Sequence, residues 1–301
     1  MAMDAPKSSK SQHLASSPVS EFIIGGNLPV RRLGFGAMRI SSARNGEGAR
    51  DRTEAHRLIR TVIDRGTNFI DTANIYGYGE SEEIIAEALY PYPSDLVITT
   101  KAGFHPSKIL RGHITLPPSG HPDQIKIECD RSLQRLRVDK IDLYQIHTPD
   151  PSIPYDETIG AFVELQDKGK IQHIGISNVT LEQLRFAQTL CRVVSVQNRY
   201  NAGDRSSDTV VETCRAEGIA FIPWAPILVG ASGVNRVLLD IAQNRGMSIQ
   251  QISLQWLLQR SKNVLPIPGT SNVIHAEHNI NAAWLTLDDS EIARIDEAAG
   301  A

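Results

Sequence analysis

The sequence predicts an α/β protein, a (β/α)8 (TIM) barrel with an N-terminal β-hairpin closing the barrel bottom and a C-terminal helical extension. Three observations carry this expectation. Short, nearly continuous apolar runs, such as residues 193–196 and 219–222, alternate with amphipathic helical patterns, the pattern of a parallel sheet covered by helices. Eight such runs can be counted, and eight is the number that closes a barrel. The competing open sheet for dinucleotides lacks its signal. Gly34-Phe35-Gly36 runs into Ala37-Met38-Arg39 with no third glycine, and no P-loop pattern occurs.

In chain order, Phe22-Ile23-Ile24, a turn at Gly25-Gly26-Asn27 and then Val30 read as the hairpin, and a first barrel strand follows through Leu33-Gly34-Phe35-Gly36. Asp51-Arg52-Thr53-Glu54 offers a capping box for a helix whose Leu58, Ile59, Val62 and Ile63 share one face and which stops near Gly66. Phe69-Ile70-Asp71 is the next strand, and a helix over 81–89 ends before Pro91. Leu96 to Lys101 is a strand, and residues 104–121, with Pro106, Pro117, Pro118 and Gly120, are a long loop expected to overhang the site. Helices over 123–136, 156–168, 181–190 and 207–217 alternate with strands over 141–146, 171–176, 193–196 and 219–222. Thr180-x-x-Gln183 and Ser248-x-x-Gln251 are further capping boxes, the second opening a helix through Leu254, Trp256 and Leu258. Residues 264–267 form the eighth strand, and a helix carrying His275, His278 and Asn279 follows.

With 301 residues, 22% of them charged, and a net charge of −3, the chain offers no basic face for nucleic acid. No apolar run is long enough to cross a bilayer. Cys129, Cys191 and Cys214 are odd in number and far apart; they read as small buried hydrophobes in a reducing compartment, with no structural zinc. His105, His113 and His121 in the long loop fit no zinc spacing, so no metal is expected. Residues 1–20 lack the apolar core of a secretory signal and read as a disordered tail or a remnant of cloning. Residues 21–301 are then a single cytoplasmic domain with no evident protein partner.

Parallel strands ending in Asp71, Lys101 and His147, with Tyr76 one short loop after Asp71, bring four polar side chains to one rim of the sheet. Reducing a carbonyl needs a hydride at carbon and a proton at oxygen, and a phenol can supply the proton if a neighbouring ammonium brings its pKa toward neutrality. Lys101 is assigned to Tyr76 in that role, Asp71 keeps Lys101 protonated, and His147 orients and polarises the carbonyl. The motif Asp-Thr-Ala-x-x-Tyr-Gly, the strand ending Thr-Lys and the strand ending in His are followed in order by Gly175-Ile176-Ser177-Asn178, Val196-Gln197-Asn198, Trp224-Ala225-Pro226 and Ile267-Pro268-Gly269-Thr270. From about Phe22 to the C-terminus the chain resembles the aldo-keto reductase family. Within it, the pattern is similar to the bacterial and fungal branch that includes pyridoxal reductases.

The resemblance implies NADPH as cofactor, with NADH as the alternative. By it, Ser177 and Asn178 hold the nicotinamide carboxamide with Gln197 beside them, Trp224 stacks on the ring, and Gly36, Met38, Ala225 and Pro226 border it. Gly230 would let the backbone approach the pyrophosphate. Gly269, Thr270, Ser271, His275, His278 and Asn279 would take the adenosine and its 2′-phosphate. This last stretch departs from the family pattern, because no Lys or Arg stands between Gly269 and Asn279, whereas a phosphate is best matched by a fixed cation. The substrate is expected to be a small carbonyl compound, an aromatic or heteroaromatic aldehyde such as pyridoxal, against Arg39, Ile75 and Phe104, with Arg39 meeting any anionic group. Two rival readings share the barrel: a nicotinamide-nucleotide-sensing subunit like the β-subunits of voltage-gated potassium channels, which also keep the tetrad, and an isomerase or dehydratase. The set Ser177, Asn178, Gln197 and Trp224 speaks against the latter.

Overall fold

The structure, a computed structural model, describes residues 19–41, 51–105, 109–110, 113–114, 116–227 and 233–300. The tail expected over residues 1–20 therefore lies outside the described residues, Val19 and Ser20 excepted.

Strands β1 (Glu21–Ile24) and β2 (Leu28–Arg31) pair antiparallel. Ile24, Leu28 and Val30 of this hairpin pack in one apolar cluster with Phe69, Val97, Leu143, Val194 and Leu265 from the inside of the sheet. At its turn Gly25 has φ +62°, and a Cβ there would lie 2.5 Å from the His173 ring, so only glycine fits. His173 Nε2 stands 2.6 Å from Asn27 Oδ1. Burial, with Arg192 and Lys140 adding to it, pulls this imidazole below its ordinary 6.5. A base whose folded pKa is depressed contributes stability above its unfolded value and loses it as pH falls through the folded one. Thermal stability should therefore fall as pH drops below 6.5, and His173→Gln should shallow that fall. An unchanged slope in melting temperature against pH would remove His173 from the account.

Strand β3 (Phe35–Gly36) is shorter than expected. Helix α1 (Arg52–Asp64) opens on Asp51, whose carboxylate accepts from Thr53 N; the reciprocal half of the expected capping box is not made, because Glu54 pairs with Arg57 instead. Strand β4 (Phe69–Asp71), helix α2 (Glu80–Leu89) and strand β5 (Val97–Ala102) follow. The long loop carries a small hairpin of its own, β6 (Ile109–Leu110) and β7 (His113–Ile114), and is tied at its base by His105 N to Pro117 O and Ser119 N to Gly103 O. Then come α3 (Pro122–Leu136), β8 (Ile141–Ile146), α4 (Tyr155–Asp167), β9 (Ile171–Ser177), α5 (Leu181–Gln188), β10 (Val193–Gln197), α6 (Asp208–Ala216) and β11 (Ala220–Phe221). His121 caps α3 through Nδ1. The Thr180/Gln183 box forms as expected.

The parallel sheet has seven strands in the order β11-β10-β9-β8-β5-β4-β3, curled with helices outside it. The eighth run does not form a regular strand. It nevertheless bonds both sheet edges: Leu265 N donates to Phe221 O on β11, while Gly34 N and Gly36 N donate to Pro266 O and Pro268 O. The reason is in the sequence. Prolines at 266 and 268 have no N–H to give toward β3, so that side of the ladder runs in one direction only.

The remaining helices are α7 (Gly233–Arg245), α8 (Ile249–Arg260), α9 (Val273–Asn281) and α10 (Asp289–Ala298). The Ser248/Gln251 box forms, and Asp288 with Glu291 makes another on α10. Trp256 Nε1 donates to Asp296 Oδ1 at 3.1 Å, tying α10 to α8. No helix of the described residues is long and apolar enough to cross a membrane.

Candidate active site

The C-terminal ends of the parallel strands share one rim, and the polar residues collect there. Asp71 ends β4, Lys101 lies near the end of β5, His147 follows β8, Ser177 ends β9 and Gln197 ends β10. Asp71 and Lys101 are 2% and 0% exposed. A charged pair at that depth persists only if every polar hydrogen is used. Lys101 Nζ donates to Asp71 Oδ2 at 2.7 Å and to Thr72 O at 2.8 Å, and it is hydrogen-bonded to the Tyr76 hydroxyl, with the ammonium 5.4 Å from that ring's centroid. Three donors meet three acceptors.

Burial alone would pull the Lys101 ammonium down, but Asp71 and Tyr76 outweigh it and hold it above its ordinary 10.5. For Tyr76 the balance runs against expectation. Burial pushes the phenol above its ordinary 10.0; Lys101 pulls down, Asp71 pushes up, and the net shift is upward. The expected descent toward neutrality is thus corrected. The phenol is held as an acid with its proton on, which suits donation.

His147 packs edge-on to Tyr76, centroids 6.0 Å apart, and against Phe104 at 4.7 Å. Burial first, and the Lys101 charge second, hold its pKa well below 6.5, so the imidazole is neutral. Its Nδ1 is buried with no hydrogen-bond partner.

Beside this group, Asn178 sits at φ +57° and Ala225 at φ +48°. Asparagine is among the few non-glycine residues that visit this region readily, whereas alanine pays for it. Asn178 Nδ2 donates to His147 O at 2.9 Å and Ser177 Oγ at 3.2 Å, and its Oδ1 accepts Trp224 Nε1 at 2.9 Å. Trp224 is half-buried. The Arg199 guanidinium lies 5.7 Å from its ring centroid and is paired with Asp204 at 3.0 Å. Pro226 is buried beneath the turn and Ala225 is exposed.

Gly36 and Gly269 have a packing role that their sequence assignment did not include. A Cβ on Gly36 would meet Ile267 O at 2.6 Å, and one on Gly269 would meet Gly36 O at 2.7 Å, so both serve the close approach of β3 to the closing segment. Thr270 is buried, its Oγ1 accepting Asn272 N, and Asn272 caps α9 by accepting from His275 N. Ser271 is partly exposed, His275 and His278 are exposed, and Asn279 is buried. Met38 and Arg39 are exposed on the turn after β3, while Ile75 is buried and Phe104 half-buried. Gly230 lies outside the described residues. Gln197 bonds Asp71 rather than standing beside Asn178 alone, its Nε2 reaching Asp71 Oδ1 at 2.8 Å.

Sequence reasoning missed the supports behind the rim. Glu82, 0% exposed, accepts from Arg135 Nε and from Thr100 Oγ1, both at 2.6 Å. Ser81 Oγ bonds Thr72 Oγ1 and donates to Ala37 O. Asn74 Nδ2 donates to Glu128 at 3.1 Å. These bonds fix the loop from Asp71 to Tyr76 against α2 and α3. Polar residues in the first turn of a helix are usually solvated, so only their burial reveals the role. Among the described residues no cluster of three or more His, Cys, Asp or Glu side chains could share a metal ion.

Known proteins share this chain's sequence and fold over most of its length. The chain is 38% identical over 273 residues to an uncharacterised oxidoreductase, C215.11c, of Schizosaccharomyces pombe, covering 90% of this chain and 88% of that one. It is 35% identical over 278 residues to the pyridoxine 4-dehydrogenase of Escherichia coli, covering 90% and 96%. A thermostable aldo-keto reductase, Tm1743, solved with the inhibitor epalrestat, superposes with a TM-score of 0.80 at 30% identity over 92% of this chain and 99% of that one. The model of the aldo/keto reductase family matches residues 32–299, and the chain belongs to that family.

Proposed function

We propose that this chain reduces an aromatic or heteroaromatic aldehyde, such as pyridoxal, to its alcohol with NADPH, and that Tyr76 supplies the proton. The observation that carries the reading is the saturated Lys101 ammonium between Asp71 and the Tyr76 hydroxyl, buried at the sheet's C-terminal rim. The similarity to a pyridoxine 4-dehydrogenase supports the substrate class. With residues 264–267 counted as the eighth strand and the hairpin as its floor, the domain over 21–301 is a (β/α)8 barrel, and α10 belongs to its C-terminal extension.

The residues present fit a nicotinamide dinucleotide. Ser177 offers a hydroxyl and Asn178 an amide oxygen with a lone pair left beside its bond from Trp224, Trp224 offers a half-exposed flat ring next to them, and the Asn272-capped start of α9 offers backbone N–H groups near Thr270 and Ser271. When bound, the reduced nicotinamide supplies the hydride. Neutral His147 accepts or donates one hydrogen bond without adding charge, so it orients a carbonyl. Ile75 and Phe104 exclude water, and the Tyr76 hydroxyl, bonded to Lys101, hands its proton to the developing alkoxide.

The test follows oxidation of NADPH and of NADH at the nicotinamide absorbance with pyridoxal and 4-nitrobenzaldehyde. Turnover preferring NADPH is expected. Tight cofactor binding with no turnover of either aldehyde would transfer the assignment to a nucleotide-sensing subunit. Arg39→Ala should lower kcat/KM for 4-carboxybenzaldehyde about tenfold, a loss of about 1.4 kcal/mol, and leave benzaldehyde unchanged. Equal effects on both would take Arg39 out of substrate recognition.

A further inference from the structure

Asp71 has two carboxylate oxygens and little contact with water. Oδ2 faces Lys101 at 2.7 Å; Oδ1 accepts from Gln197 Nε2 at 2.8 Å. Asp71 and Gln197 are 126 residues apart, and along the sheet three strands, β5, β8 and β9, stand between β4 and β10. The bond therefore spans the inside of the sheet. A carboxylate accepts only, so the amide nitrogen must be the atom that faces it.

We propose that Gln197 is a positioning residue for the reaction: by donating across the sheet to Asp71 Oδ1 it fixes the rotation of that carboxylate, and so the placement of Lys101 and the Tyr76 hydroxyl. The terminal torsion of an aspartate is broad and soft, so one ammonium alone does not fix its plane. Two donors on opposite oxygens do. Because the Lys101 ammonium has no spare hydrogen, a turn of Asp71 takes away a bond that nothing else replaces.

A second feature places Gln197 itself. One layer below, Ser195 Oγ donates to Gln145 Oε1 at 3.2 Å, and Gln145 Nε2 donates to Thr99 Oγ1 at 3.0 Å. Ser195, Gln145 and Thr99 are each two residues before Gln197, His147 and Lys101. Side chains two apart on a strand share a face, so this buried chain lies under the site and links the same strands. Gly175 leaves room for it, since a Cβ there would stand 2.1 Å from Ser195 Oγ. The register between β9 and β10 shifts between Val193 and Ser195, just before Gln197. Such irregularities re-aim side chains beside active sites.

The proposal rests on the reductase reading, and the test separates the two. Hydride transfer to 4-nitrobenzaldehyde is measured in single turnovers with saturating NADPH from pH 5 to 9, and NADPH Kd by fluorescence, for the wild type, Gln197→Met, Gln197→Glu and Tyr76→Phe. Gln197→Met should slow transfer at least tenfold at saturation while Kd moves less than threefold. Gln197→Glu, nearly isosteric, sets a second carboxyl against Asp71. Two carboxyls so close share a proton, so its pH profile should gain an ionisation that the wild type lacks. If the loss lies in Kd alone, with full rate at saturation and a wild-type pH profile for Gln197→Glu, Gln197 is only a cofactor ligand and the proposal fails. Should Gln197→Met not fold, the Gln197→Glu profile decides alone. A wild-type chain that binds NADPH and transfers no hydride would overturn the reductase reading itself, whereas a loss in Tyr76→Phe beside a fully active Gln197→Met would overturn only the role of Gln197.

Discussion

Tyr76→Phe should cost between a hundredfold and ten-thousandfold in aldehyde reduction, the range expected for loss of a positioned general acid, or about 3–5.5 kcal/mol of barrier. The phenyl ring keeps the shape of the site and loses only the hydroxyl bonded to Lys101, so cofactor affinity should hardly change. The direction of the Tyr76 shift adds a second expectation. A phenol held above 10.0 by burial stays protonated through the neutral range, and the reduction rate should show no fall on the alkaline side until pH passes 10. A rate that declines from pH 8 would mean that Lys101 outweighs burial in the working enzyme. Wild-type turnover by Tyr76→Phe would remove the tyrosine from the chemistry.

Much of this was legible in the sequence, for physical reasons that differ from place to place. The strands read clearly where both faces of a covered parallel sheet are apolar, so β10 and residues 219–222 stand out as apolar runs. Asp71, Lys101 and His147 read clearly because each interrupts a strand run at its end, and Tyr76 follows Asp71 by one short loop. The closing segment was found as a run but not as a broken ladder; counting apolar residues cannot see which N–H groups Pro266 and Pro268 remove. Gly36 and Gly269 were assigned to the cofactor, but the structure first requires them for each other, because a glycine announces a close approach without naming what approaches. Helix α7 went unread: Val234, Leu238, Ile241 and Ala242 line its buried side, but it opens on Gly233 and no Glu or Gln stands three residues after Ser232 to complete a capping box. Partnerships were the least legible layer. Glu82 sits among the exposed-looking acids of α2, and its burial against Arg135 and Thr100 depends on how α2 meets α3. Gln197 could be placed at a strand end, but not across the sheet from Asp71.

The closing segment also sets the second large effect, at Arg32. This side chain is buried, and its guanidinium donates to Leu258 O at 2.5 Å, Ser261 O at 2.7 Å and Val264 O at 3.4 Å. Burial pushes it down to about 10 from 12.5, so at neutral pH it keeps its charge, held by carbonyl oxygens at the end of α8 and the start of the closing segment. Leu258 O lies in the last turn of α8, where carbonyls lack an intrahelical donor, and a cation at a helix C-terminus also meets the negative end of the dipole. Arg32→Leu removes a buried charge, which helps, but strands up to two buried acceptors, Leu258 O and Val264 O, at about 1–3 kcal/mol each, while Ser261 O keeps Val264 N. The second term should win. A net loss of about 2–4 kcal/mol is expected, or a drop in Tm of roughly 5–10 °C. Arg32→Lys, with a shorter reach and no planar fork, should fall between. Since Gly269 and Thr270 continue from the clamped segment, NADPH binding should weaken with stability, although Arg32 touches neither rim nor ligand. A Tm within 1 °C of wild type would show that the carbonyls find other donors and that closure of the sheet does not depend on this clamp.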